Sequence, residues 1–134
     1  MNVVIPFRNT CGTKELQMCL KLIQKNLIIK YNEIFVVGDK VDFDLNDGIT
    51  NIIVEEQKYN KWLDSSFLVQ CYIDKIKEPF ILFNDDFFLT GKVNNIPYYH
   101  YSTLEERSLT TNVIDAKVNQ LRPSAYGLNI LKYD

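Results

Sequence analysis

FILFNDDFFL, residues 80–89, is the stretch on which the reading of this chain turns. An apolar run, 80–83, leads into Asn84, Asp85 and Asp86, and a second apolar run follows. Adjacent carboxylates between apolar segments are costly, and burying them unpaired costs more, so a cation or a fully hydrogen-bonded site is expected beside them. Mg²⁺ or Mn²⁺ suits such oxygen ligands and commonly shares them with substrate phosphates. The plainer alternative is a turn at a strand end, where Asn and Asp are common. The strand-like run before the motif and the aromatic residues after it argue against a simple tight turn.

Working outward, three further apolar runs match the one before the motif: residues 3–7, 34–37 and 49–54. All four are continuous and rich in Val, Ile and Phe, the pattern of strands buried on both faces of a parallel sheet. Between the first two, Leu16, Cys19, Leu20, Ile23 and Leu27 follow a period of about 3.6 residues, which predicts an amphipathic helix over 14–27. A second helix is predicted over 61–76 from Phe67, Leu68, Cys71, Tyr72 and Ile76, and Glu78-Pro79 stops it. The order strand, helix, strand, strand, helix, strand predicts an α/β fold with a mainly parallel sheet flanked by helices. Ligands of such sheets bind beyond the carboxyl ends of the strands. Arg8 and Asn9, Asp39, Glu55 and Glu56, and Asn84 to Asp86 all follow strands and converge on that edge.

The 134 residues suit one small domain, and an apolar fraction of 46% with eight Tyr and eight Phe is a globular composition. A net charge of −2 gives no bulk electrostatic support for general nucleic-acid binding. Cys11, Cys19 and Cys71 have no CxxC spacing; Cys19 and Cys71 read as buried small hydrophobes and Cys11 as a loop residue. A reduced, cytoplasmic compartment is the expectation. NVVIPF is too short for a secretory leader, and no apolar run approaches the roughly 20 residues of a membrane span. From Gly91 the pattern is less regular, with the aromatic cluster IPYYHYS and a short helix expected around 112–121.

VVIPFRN, a helix, EIFVVGD and then FILFNDDFFL together resemble the nucleotide-binding half of GT-A glycosyltransferases, in particular small phage- and bacterial-type enzymes with an NDDFFL-like acidic motif. The resemblance covers roughly residues 2–90 and implies a GT-A-like, Rossmann-like single domain over 1–134. Residues 1–90 would bind the nucleotide sugar and 91–134 would form the acceptor side. Asn84-Asp85-Asp86 stands where the family has its DxD motif, with Asn in place of the first Asp, a departure that removes one charge. The family's motif helps to bind a metal and the ribose or sugar. The resemblance therefore implies a Mn²⁺ or Mg²⁺ cofactor, a metal role for Asp86 and a sugar or metal contact for Asp85.

Other positions carry over from the same likeness. Pro6, Arg8 and Asn9 resemble the first-strand loop that packs near the nucleotide base. Asp39 matches an acidic residue that contacts base or ribose; the alternative is a solvated turn carboxylate. Lys61, at the start of the second helix, would meet a diphosphate through its charge and the helix N-terminus, or else is merely exposed. Arg8 has the same two readings, and Glu55 and Glu56 read as solvated loop acids. His100, the only histidine, would be a further metal ligand as in some GT-A enzymes, or a packing residue among tyrosines. Glu105 and Glu106 are the candidates for an acceptor-side base, against the simpler reading of a surface acidic pair.

The function this implies is metal-dependent transfer of a sugar from a nucleoside-diphosphate sugar to an acceptor hydroxyl. Glycan, protein and modified nucleic-acid base stay open as acceptors. The segment 96–106, IPYYHYSTLEE, is expected to fold back over the carboxyl edge and complete the site, or to cap the core. A homo-oligomer or a large acceptor would be other ways to complete so short a chain. Two alternatives stand beside this reading. A non-catalytic nucleotide-sugar-binding or assembly protein would keep the fold without turnover. A sugar nucleotidyltransferase would usually carry a glycine-rich loop after the first strand, whereas RNTCGTK has one glycine.

Overall fold

Four strands and two helices build residues 1–96, the part of the chain that the computed structural model describes. In chain order these are β1 (Asn2–Phe7), α1 (Lys14–Asn26), β2 (Ile34–Gly38), β3 (Ile49–Ile53), α2 (Lys61–Ile76) and β4 (Phe80–Leu82). The strands form one parallel sheet in the order β3-β2-β1-β4. Met1–Gln57 and Phe67–Ile96 make one compact unit, and Lys58–Ser66 belongs to a second. Among the described residues no helix is long and apolar enough to cross a membrane. The expected α/β class with a parallel sheet and two flanking helices is therefore what forms.

Alternation along the strands divides the apolar residues between two cores. Val3, Ile5 and Phe7 of β1 pack with Leu16, Cys19, Leu20 and Ile23 of α1. Val4 faces the other way, with Val37, Ile52 and Leu68 and Tyr72 of α2. The two helices thus cover opposite faces. The strand order explains this: the chain moves from β1 outward to β3 and then returns past β1 to β4, and right-handed crossovers that run in opposite directions place their helices on opposite faces. Each fully buried Val, Ile or Leu side chain contributes about 1.5 to 3 kcal/mol by leaving water.

Tyr72 is fully buried, with ring neighbours Phe35 and Phe80 at centroid distances of 5.3 and 5.1 Å. Its hydroxyl accepts a hydrogen bond of 2.9 Å from Asn2 Nδ2, so the buried oxygen is satisfied. α2 closes at Lys77, whose φ of 57° is left-handed and whose N–H donates to the Ile73 carbonyl. Pro79 follows two residues on, as the sequence predicts.

The four apolar runs do not share one environment. β1 and β2 are central and almost wholly buried, but β3 and β4 are the edges of the described sheet. Ile53 is 54% exposed and Leu82 52%. The expectation that 80–83 is buried on both faces is thereby corrected. Composition marks a strand as apolar, whereas its place in the sheet is set by which neighbours pair with it.

Candidate functional site

The order in which the chain adds strands reverses at β1, with β2 on one side and β4 on the other. Crevices for ligands form at such switch points, outside the carboxyl ends of the strands. A proline, Pro6, stands at this one. Successive residues of a parallel strand direct their backbone polar groups to alternate neighbours. Val3 N–H donates to Glu33, ahead of β2, and the Phe7 carbonyl accepts from Asp39, after β2. The Val4 carbonyl instead accepts from Phe83 N–H, on the β4 side, at 2.9 Å. Pro6 therefore turns its edge toward β4 and has no N–H to donate, so pairing on that side stops after Val4. β1 runs on to Phe7 paired only with β2, while the chain beyond Phe83 leaves the ladder.

What leaves the ladder is the acidic motif. Asn84 to Phe87 is a tight turn closed by Phe87 N–H on the Asn84 carbonyl at 3.2 Å, with Asp85 and Asp86 as its two corner residues. The flanking residues argue against a simple tight turn in the sequence, and yet the alternative named there, a turn at the strand end, is what forms. Asn at the first turn position and Asp at the corners are favoured by turn chemistry itself, and the flanking aromatics do not oppose it. Asn84 and Asp86 are exposed and Asp85 is half-buried. Phe87 and Phe88 beside them are 54% and 44% exposed.

Two side chains of α1 hold this segment. Cys19 Sγ donates to the Asn84 carbonyl at 3.4 Å, and the buried Asn26 donates through Nδ2 to the Leu89 carbonyl. Farther on, Val93 bridges to Leu27, with Ile28 N–H on its carbonyl at 2.8 Å. Burial pushes the Cys19 thiol up to about 12, and the nearby charges of Asp85 and Asp86 add to the shift. Sequence reading singles out neither for this role: Cys19 reads as part of the apolar helix face, and Asn26 has no reading there.

The carboxylate oxygens of the turn are donors of the type a hard divalent cation takes. Among the described residues no three His, Cys, Asp or Glu side chains converge to hold a metal ion. Asp85 and Asp86 are the described residues that could ligate such a cation, and water and phosphate oxygens commonly complete the shell of Mg²⁺. His100, Glu105 and Glu106, and the fold-back of 96–106, lie outside the described residues apart from Ile96, which is exposed.

On the β2 side of β1 the expected residues meet one another. Arg8 Nη1 donates to Asp39 Oδ1 at 2.9 Å and to the Val54 carbonyl at 2.6 Å, and Nη2 donates to the Glu56 carbonyl at 2.5 Å. Their side chains are 13% and 27% exposed. Asp39 Oδ2 accepts the Asn9 N–H at 2.8 Å, and Asn9 Oδ1 accepts the Gly12 N–H at 3.1 Å. Glu55 and Glu56 are exposed, as read. Lys61 opens α2 in the second unit and is exposed.

Gly38 makes the meeting of Arg8 and Asp39 feasible. Its φ is +138°, and a Cβ there would stand 2.0 Å from the Phe7 carbonyl oxygen. Only glycine lets β2 come that close to β1 while turning Asp39 toward Arg8. Asn51 supports the same corner: its Nδ2 donates to the carbonyls of Val36 and Asp39 at 3.1 and 3.2 Å, and its Oδ1 accepts the Val41 N–H at 3.0 Å. Sequence reading passed over both. The polar Asn51 inside the run 49–54 was the available signal.

Comparison of the chain with protein-family models, with curated proteins and with solved structures produced no match.

Proposed function

We propose that this chain is a metal-dependent glycosyltransferase that binds a nucleoside-diphosphate sugar in the crevice between β1 and β4 and transfers its sugar to an acceptor hydroxyl. One observation carries the reading: the acidic turn 84–87 leaves the sheet at the carboxyl end of β4, next to β1, where the strand order reverses. Parallel sheets bind phosphorylated ligands at that position. The sequence likeness to GT-A enzymes assigns the same turn to metal and sugar.

In this reading Asp86 and Asp85 hold Mn²⁺ or Mg²⁺. The bound cation would supply Lewis-acid stabilisation of the leaving diphosphate. Cys19 holds the Asn84 carbonyl of the turn and Asn26 the Leu89 carbonyl just beyond it, so α1 fixes the path of the backbone that carries both carboxylates. The exposed rings of Phe87 and Phe88 offer apolar faces for a sugar beside the charged corner. The acceptor base is assigned to Glu105 or Glu106.

Calorimetry with UDP-, GDP- and ADP-sugars tests the proposal, with Mn²⁺ or Mg²⁺ against chelator, in wild type and Asp86→Ala. The expected result is metal-promoted binding in wild type and none of that promotion in the variant, with the fold intact. Equal affinity under all conditions removes the metal from the mechanism. Binding without hydrolysis or transfer moves the assignment to a non-catalytic nucleotide-sugar-binding or assembly protein.

A further inference from the structure

We infer that Asn51, Asp39 and Arg8 form a positioning network that presets the loop 9–12 at the rim of the crevice, and that Arg8 and Asp39 act through this loop without touching the bound nucleotide. The inference rests on the proposed nucleotide-sugar site and changes the roles of two residues within it.

Counting polar groups leads to this assignment. Both carboxylate oxygens of Asp39 are engaged, one by Arg8 and one by the Asn9 N–H. The Arg8 fork spans Asp39 and the carbonyls of Val54 and Glu56, so it joins the segments after β1, β2 and β3. Turning Arg8 toward a phosphate would leave the partly buried Asp39 carboxylate without its cation and the partly buried Val54 carbonyl without that donor, at a desolvation cost. The backbone of Asp39 is fixed as well. Its backbone carbonyl is held by Asn51 Nδ2 and its N–H by the Phe7 carbonyl at 3.0 Å. The beneficiary is Asn9. Asp39 fixes its backbone N–H, and the Asn9 side chain in turn holds the Gly12 N–H, which sets the path from β1 into α1.

Positioning and direct contact predict different coupling. Residues that act as one unit lose their effect once, so their double variant resembles the singles. The test uses the full chain, with UDP, GDP and ADP in the presence of Mn²⁺ as probes. Arg8→Gln, Asp39→Ala and the double variant are compared by calorimetry, with amide hydrogen exchange at Asn9 and Gly12 as the second readout. Each single variant is expected to weaken nucleotide binding about tenfold and to speed exchange at both amides, and the double variant to do no more than either single. Arg8→Lys, which keeps the charge opposite Asp39 but not the fork, is expected to restore Asn9 protection in part. Circular dichroism confirms folding of each variant, and Asn51→Asp provides a further route to loosening the corner.

Unchanged protection of the Asn9 amide in both Arg8→Gln and Asp39→Ala overturns the network, whatever the nucleotide result. Additive losses of affinity assign Arg8 and Asp39 to direct contact and overturn the positioning role. No binding of any of the three nucleotides to wild type removes the proposed function, and the role in binding falls with it. Faster exchange in the variants would in that case still separate a real loop clasp from a failed nucleotide assignment.

Discussion

The Sγ of Cys19, in the middle of α1, donates a hydrogen bond to the backbone carbonyl of Asn84 at 3.4 Å and so ties the buried helix face to the acidic turn. The contact leaves the carboxylates of Asp85 and Asp86 beyond it. It also places a titratable thiol where their charge is felt.

That thiol makes stability depend on pH at the alkaline end. Burial, and then the charges of Asp85 and Asp86, raise its pKa from 9.0 to about 12. Between these values the unfolded chain has lost the proton and the folded chain keeps it, so stability falls as pH rises through this window and is unaffected by this group below it. Urea unfolding at a series of pH values should show wild type losing more stability from pH 9.0 to about 12 than Cys19→Ala does. Parallel slopes would show that the thiol titrates normally.

Gly38→Ala should be strongly destabilising. Its Cβ would meet the Phe7 carbonyl oxygen at 2.0 Å on a backbone with φ +138°, and the expected loss is about 3 kcal/mol or more. Gly12→Ala is the control, since φ is +93° there but no atom lies within 4 Å of the new Cβ. Only the conformational cost remains, about 1 kcal/mol. Denaturant midpoints compare the two, and equal losses would contradict the steric account.

Asn26→Ala removes the donor to the Leu89 carbonyl from a buried site. The expected cost is about 1 to 2 kcal/mol, with faster amide exchange through residues 84–93. Protection lost evenly over the whole sheet instead would mean that Asn26 supports the core and not the acidic turn.

Cation binding at the turn should be visible without any nucleotide. A ligand that binds only the folded state at about a hundred times its Kd stabilises by about 2.7 kcal/mol. Mn²⁺ or Mg²⁺ should therefore raise the melting temperature of wild type, and Asp85→Asn or Asp86→Asn should reduce that rise. A rise of the same size in the double variant would place the cation elsewhere.

Much of this architecture can be read from local pattern. The helical spacing of Leu16, Cys19, Leu20 and Ile23, the apolar runs, and the stop at Glu78-Pro79 each depend on neighbours in the chain. The same holds for the edge on which Arg8, Asp39 and Asn84 to Asp86 collect, because each group lies just after the end of a strand. Strand and helix periods are short-range properties, so they survive in the one-dimensional record.

Pairing and packing were decided only in three dimensions. The runs 34–37 and 80–83 look alike, yet one is central and the other an edge, because β4 pairs with β1 alone in the described sheet. The Arg8 guanidinium reads as either a ligand-facing or a merely exposed charge until Asp39, thirty-one positions away, is seen to take it. Gly38 reads as an ordinary glycine until the Phe7 carbonyl lies against it. Cys19 reads as helix core, and Asn26 goes unremarked, until the carbonyls of Asn84 and Leu89 arrive, more than sixty positions later in the chain. Each of these outcomes depends on which distant groups the fold brings within hydrogen-bond or van der Waals range, and no local period encodes that.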